Sequence, residues 1–206
     1  MRKLQSKNNL TLLILLLLIS GCEKEPCLDI QELEKQSAKT KEWFVNDTIV
    51  NQEITDNHGI SQTLIVSSEY TRFYENVVED DCGNIYGSFN FSIQYKTSLS
   101  PLHFMIDIGG SGLSNDGFYL QMSITNTNSV GSKSATYDFV TESCRENNAS
   151  MEIIKGNLII DNIDSDVLKI DFNTTTASND IKTVYYSKDY GIIKFIEENG
   201  NEFKIK

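Results

Sequence analysis

Between residues 89 and 172 the chain alternates. Phe89, Phe91, Ile93 and Tyr95 are separated by Asn90, Ser92 and Gln94 and followed by Lys96, which predicts a strand with one apolar and one wet face. Leu102, Phe104, Ile106 and Ile108 repeat the pattern against His103, Met105 and Asp107, and Phe118, Leu120, Met122 and Ile124 against Tyr119, Gln121, Ser123 and Thr125. Leu168, Ile170 and Phe172 do so against Lys169 and Asp171. Half-wet strands of this kind belong to antiparallel sheets. Shorter or noisier strands are predicted over Thr48 to Ile54, Ile60 to Val66, Ser134 to Phe139, Met151 to Ile160 and Thr183 to Tyr186, with a last pair over Ile192 to Glu197 and Glu202 to Ile205. Turn residues separate them at Asp56 to Gly59, Gly109 to Gly117, Asp161 to Asp166 and Asn199 with Gly200, the last being the strongest two-residue hairpin signal. About ten strands without a long helical period predict an all-β fold, either an antiparallel sandwich or an open or closed barrel.

The N-terminus breaks this pattern. Arg2, Lys3 and Lys7 precede an apolar run from Leu10 to Ile19, too short to span a bilayer as a helix and arranged like a secretory signal peptide. At Ile19, Ser20, Gly21 and Cys22 the chain resembles the lipobox of bacterial lipoproteins. That resemblance implies cleavage before Cys22, a diacylglyceryl group on its thiol, and membrane attachment through acyl chains; two or three chains anchor stably where one does not. Glu23, Lys24 and Glu25 resemble the short signal that sends some Bacteroidota lipoproteins to the outer face of the outer membrane; the plain reading of the same residues is a solvated linker. The resemblance thus implies a cell-envelope location, lipid-anchored to the outer membrane on its periplasmic or surface face.

Three segments follow: a signal peptide over 1–21, a lipidated tether over 22–40, and a single β domain over 41–206. The tether has Leu28, Ile30 and Leu33 as its only large apolar residues, enough for one or two helical turns. The whole chain carries 18 basic and 29 acidic side chains. Cleavage removes three basic and no acidic ones, leaving a net charge of −14 on the mature form. An acidic surface of that size argues against nucleic acid as a partner.

Cysteine usage fits export. With Cys22 lipidated, Cys27, Cys82 and Cys144 remain. The two that fall in predicted loops, Cys82 and Cys144, form the favoured disulfide, while a pairing of Cys27 with either stays open. His58 falls in a turn and His103 on a strand, and neither has a nucleophile's context. Gly109, Gly110 and Gly112 lack both dinucleotide spacing and a phosphate-loop lysine. Asp161, Asn162, Asp164 and Asp166 crowd one turn with oxygens but without the glycine and distal glutamate of an EF-hand. No metal site, catalytic residue or cofactor is therefore assigned. Asp47, Thr48 and Ile49 resemble the acid–hydroxyl–aliphatic triplet at which Bacteroidota glycosylate exported proteins, which makes Thr48 a candidate O-glycosylation site.

The run from Tyr185 to Phe195 resembles the ending of small secreted Bacteroidota lipoproteins and the sheet-closing strands of lipoprotein carriers of the LolA and LolB kind. The second likeness implies an incomplete barrel whose concave face holds acyl chains; the residues alone predict a strand, a bend at Gly191 and the next strand. The leading expectation is a non-enzymatic, membrane-anchored binding or interaction module for a protein or glycan. A carrier or sensor of lipid or another apolar ligand stands second, its cavity lined by Phe89, Phe91, Leu102, Phe104, Phe118 and Leu120. A hydrolase using two carboxylates stands third.

Overall fold

The computed structural model describes residues 30–44, 51–79, 85–99, 101–110, 117–126, 132–155, 165–173 and 180–206. Among the described residues, one helix, α1 (Ile30–Lys41), is followed by twelve strands. These are β1 (Gln52–Asp56), β2 (Ser61–Glu79), β3 (Ile85–Thr97), β4 (Leu102–Gly110), β5 (Phe118–Asn126) and β6 (Ser132–Asp138), then β7 (Ser143–Cys144), β8 (Ala149–Ile154), β9 (Val167–Phe172), β10 (Ile181–Ser187), β11 (Gly191–Glu197) and β12 (Glu202–Ile205).

All twelve lie in one antiparallel sheet in the order β7-β6-β5-β4-β3-β2-β1-β12-β11-β10-β9-β8. The sheet is therefore an up-and-down meander whose first and last strands pair, with Ile54 opposite Ile205. Its two outer strands, β7 and β8, approach each other and nearly close a barrel. The expected all-β architecture is present, with a barrel that combines both anticipated forms. Phe104 on β4 and Phe195 on β11 have four strands between them round the wall, yet their ring centroids lie 5.3 Å from each other. Opposite walls touch, so the barrel is flattened toward a sandwich.

Strand β7 is only two residues long, and the segment after it continues along the edge of β6. The Glu146 carboxylate accepts hydrogen bonds from the Thr136 amide (2.6 Å) and hydroxyl (2.7 Å), while the Arg145 amide donates to the Thr136 carbonyl. Inside, the alternating apolar positions of β3, β4 and β5 join those of β9, β10 and β11 in one buried cluster. Outside, the wall is ionic: Lys169 bridges Glu152 (3.5 Å) and Asp171 (2.6 Å), and Glu202 bridges Lys194 (2.7 Å) and Lys204 (2.8 Å). An apolar interior inside a charged wall is the inverse of a membrane-spanning barrel.

Two glycines show why the turns fall where they do. Gly200 sits at φ +86° beyond Asn199, whose side chain accepts a hydrogen bond from the Asn201 amide (2.7 Å), and this closes the predicted β11–β12 hairpin. Gly110 ends β4 because the ring of Phe118 crosses it: a Cβ built there would lie 2.2 Å from Phe118 Cδ1. Space for that ring, rather than a phosphate cradle, accounts for this glycine.

Candidate functional site

The up-and-down topology gives the barrel two ends. One carries the start of β3 and β5, the finish of β4, β6 and β10, and the 139–142 and 188–190 turns; α1 lies across it. The helix forms because Gln, Glu, Leu, Lys and Ala favour it, and because Glu32 in its first turn and Lys39 and Lys41 in its last complement its dipole. It ends in tight turns, with the Trp43 amide donating to the Thr40 carbonyl and the Phe44 amide to that of Lys41. It is longer than the one or two turns expected because Leu33, Trp43 and Phe44 pack against the barrel core and Thr40 is fully buried.

Trp43 is the chain's single tryptophan and is 3 % exposed. Its ring stacks on Tyr186 (6.4 Å between centroids) and meets Phe139 (6.1 Å), while Phe44 stacks on Phe91 (5.1 Å) and meets Phe89 edge-on (5.4 Å). The Tyr186 hydroxyl donates to the Trp43 carbonyl (3.1 Å). Lys39 pairs with Glu142, Lys188 with Glu42 and Asp166, and the Lys41 amine lies 4.9 Å from the centre of the Phe89 ring. Residues on the tether side of the fold thus plug this mouth.

Deeper in, Tyr95 is fully buried on β3 and its hydroxyl has no hydrogen-bond partner. Burial pushes its pKa up, and burial together with the charge of Tyr95 pushes that of Tyr186 up as well; both phenols stay neutral.

Among the described residues no helix covers the opposite end, which is rimmed with polar groups. Asp56 ends β1, Gln62 begins β2, and Glu197 ends β11, all buried. Across this rim Lys133, at the start of β6, donates to the Ile181 carbonyl (3.2 Å) and pairs with buried Asp180 (3.5 Å). The exposed side chains of Ile60 and Leu99 project from two turns that are tied together, the Ser98 amide donating to the Thr63 carbonyl and the Thr63 amide to the Ser98 hydroxyl.

The residues expected to line an interior, Phe89, Phe91, Leu102, Phe104, Phe118 and Leu120, are all brought into the one core. Cys22, Cys27, Thr48, Cys82 and the turn residues Asp161, Asn162 and Asp164 lie outside the described residues. Cys144 carries a free thiol on β7, with Sγ 3.6 Å from a Glu146 carboxylate oxygen; burial pushes its pKa up. Its pairing with Cys82 stays a sequence expectation. Asp166 is engaged by Lys155 and Lys188. His58 lies in the β1–β2 turn, and His103 stands opposite Lys96, with its pKa lowered by burial and by that lysine. Trp43, Phe44 and the polar rim were not singled out by sequence, and Tyr186 was read only as part of a strand. Among the described residues no helix is long and apolar enough to cross a membrane. No family model matches the chain, and neither a curated protein nor a solved structure matches it.

Proposed function

We propose that the chain is a non-enzymatic lipoprotein of the cell envelope, held to the membrane through Cys22, whose β domain contacts a protein or glycan with its outer surface. The observation that carries this reading is the contact of Phe104 on β4 with Phe195 on β11, whose ring centroids lie 5.3 Å apart. Where opposite walls meet ring to ring, the interior is core, and recognition belongs outside. Orientation supports the same reading. Seven residues separate Cys22 from Ile30, a reach of about 28 Å at full extension. The helix that follows covers one mouth, so the polar rim with Ile60 and Leu99 faces away from the anchor.

A second reading, a carrier of lipid or another apolar ligand, draws on the helix-covered mouth. There the space between walls is filled by Trp43 and Phe44, which belong to no strand, and the unpartnered Tyr95 hydroxyl gives that interior one polar point.

Native mass spectrometry of the full chain, after incubation with a membrane extract of the host, separates the two. An unadorned mass is expected; a discrete adduct lost on delipidation would replace the first reading with the second. Anchoring is tested separately. Cys22→Ala should move the protein from the membrane to the soluble fraction, and unchanged fractionation would remove the lipoprotein assignment.

A further inference from the structure

The outer wall has two unlike halves. From β8 to β12 its ion pairs use up the outward side chains: Lys169 holds Glu152 and Asp171, and Glu202 holds Lys194 and Lys204. Groups that satisfy one another offer little to a partner.

The half formed by β3, β4 and β5 is built differently. Phe91, Ile93, Ile106, Leu120 and Met122 point into the core, so the residues between them face out. The register sets these in rows across the three strands. Ser92 stands opposite Asp107 and Asp107 opposite Gln121; in the next row Gln94 stands opposite Met105 and Met105 opposite Ser123. Neighbours in a row are about 5 Å apart and the rows about 7 Å, so the six side chains make one continuous patch.

Two observations set this patch apart. Among the described residues, the side chains of Ser92, Asp107, Gln121 and Ser123 form no hydrogen bond or ion pair within the chain, whereas Asp138, the outward acid of neighbouring β6, is held by Arg145 (2.9 Å). Independently, Met105 stands 39 % exposed in the middle of these polar groups. An uncommitted carboxylate, hydroxyls and an amide thus surround one apolar seat.

That combination selects among partners. Acidic polymers are repelled by the net negative charge of the chain and by Asp107 itself. Protein interfaces are centred on aromatic, methionine and arginine side chains and are depleted in serine; here Met105 is alone among serines, glutamines and an aspartate. A neutral glycan matches each group. Its hydroxyls donate and accept at once, Asp107 only accepts, the serines and Gln121 do both, and the C–H face of a sugar ring needs the apolar seat that Met105 supplies.

We propose that the outward face of β3, β4 and β5 binds a neutral glycan. Asp107 accepts sugar hydroxyls, Ser92, Gln121 and Ser123 extend the hydrogen bonding on either side, and Met105 packs under a ring. The proposal rests on the outer-surface reading above and gives it a face and a partner class.

The test uses the full chain, in a detergent without a sugar head group, on native gels that contain a soluble neutral polysaccharide: a β-glucan, a mannan, a galactan or a xylan. Polygalacturonate is the acidic control. Retardation is expected with at least one neutral polymer and not with the control. In that gel Asp107→Asn should weaken binding about tenfold, the loss of a hydrogen bond to a charged group, and Met105→Ala and Gln121→Ala at least threefold each. Lys204→Ala, on the ionic half, should bind as the parent does. All four substitutions face outward, and circular dichroism checks that each variant keeps the fold. Absence of retardation by every neutral polymer overturns the proposal, as does retardation that Asp107→Asn, Met105→Ala and Gln121→Ala leave unchanged. Retardation lost only in Lys204→Ala would move the site to the other half and keep the outer-surface reading, which itself fails on a different result, the adduct lost on delipidation.

Discussion

Replacing Trp43 by alanine tests whether the segment that leads into the barrel is part of its folding unit. The indole is almost wholly buried between Tyr186 and Phe139. Burying roughly 200 Å² of aromatic surface at about 25 cal/mol per Å² contributes about 5 kcal/mol. Trp43 sits at a helix end that can settle inward by a small amount, so part of the hole closes, and truncations of this kind cost about 3–5 kcal/mol. The Tyr186 hydroxyl keeps its acceptor, since it bonds the Trp43 backbone carbonyl. The expected loss is therefore about 4 kcal/mol. For a chain of this size it lowers the thermal midpoint by roughly 8–16 °C. Urea unfolding followed by far-ultraviolet circular dichroism is the appropriate assay, because the variant has no tryptophan to report fluorescence. Trp43→Phe, which refills much of the hole, should recover more than half of the loss. A loss below about 1 kcal/mol for the alanine variant would refute the reasoning: α1 would then ride on a barrel that folds without it.

Gly110→Ala should cost about 1–3 kcal/mol by overpacking, since the new methyl meets Phe118 at 2.2 Å and Phe89 at 3.1 Å. Gly109→Ala, whose nearest neighbour is the movable tip of Tyr119 at 2.8 Å, should cost less, and equal urea midpoints for the two would contradict this account. Lys133→Met removes a charged donor that links the starts of β6 and β10 and should cost about 2 kcal/mol, changing little between low and high salt because the pair is shielded from solvent. Glu197 has its pKa raised by burial, opposed by the Asn199 and Asn201 amides and reinforced by the charge of Asp56. The folded state thus holds this proton more tightly than the unfolded state does. Stability from this group is full below the ordinary carboxylate value of 4.5 and is lost as pH rises through the higher folded value. Glu197→Gln should remove that slope, and stability profiles for parent and variant that stay parallel across the window would count against it.

What could be read from the sequence was set by how local each signal is. Strands β3, β4, β5 and β9 alternate without interruption, and the core they form was visible in Phe89 to Tyr95, Leu102 to Ile108, Phe118 to Ile124 and Leu168 to Phe172. The far half of β2 was not, because its register against β3 shifts between Ser67 and Arg72, and an irregularity of that kind breaks the period on which the reading depends. The plug was illegible for another reason: Trp43 and Tyr186 meet across 143 residues, and no local pattern encodes that distance. The polar rim did leave a signal. Carrying the alternation one step past Ile54, Leu64 and Phe195 lands on Asp56, Gln62 and Glu197, residues that a local reading assigns to turns and strand ends.

The pairing of β1 with β12 also sets the order of events in assembly. Every other ladder joins strands close in the chain and can form as a hairpin, whereas Ile54 waits for Ile205, next to the last residue. Closure of a loop this long is slow and follows the local pairings. Until that ladder forms, the chain is two separate meanders, β1 to β7 and β8 to β12, and the edges of β1 and β12 are unsatisfied besides those of β7 and β8. Strand β12 then acts as a latch: removing it should leave the other hairpins formed and the wall unsealed, a state prone to recruit strands from other chains.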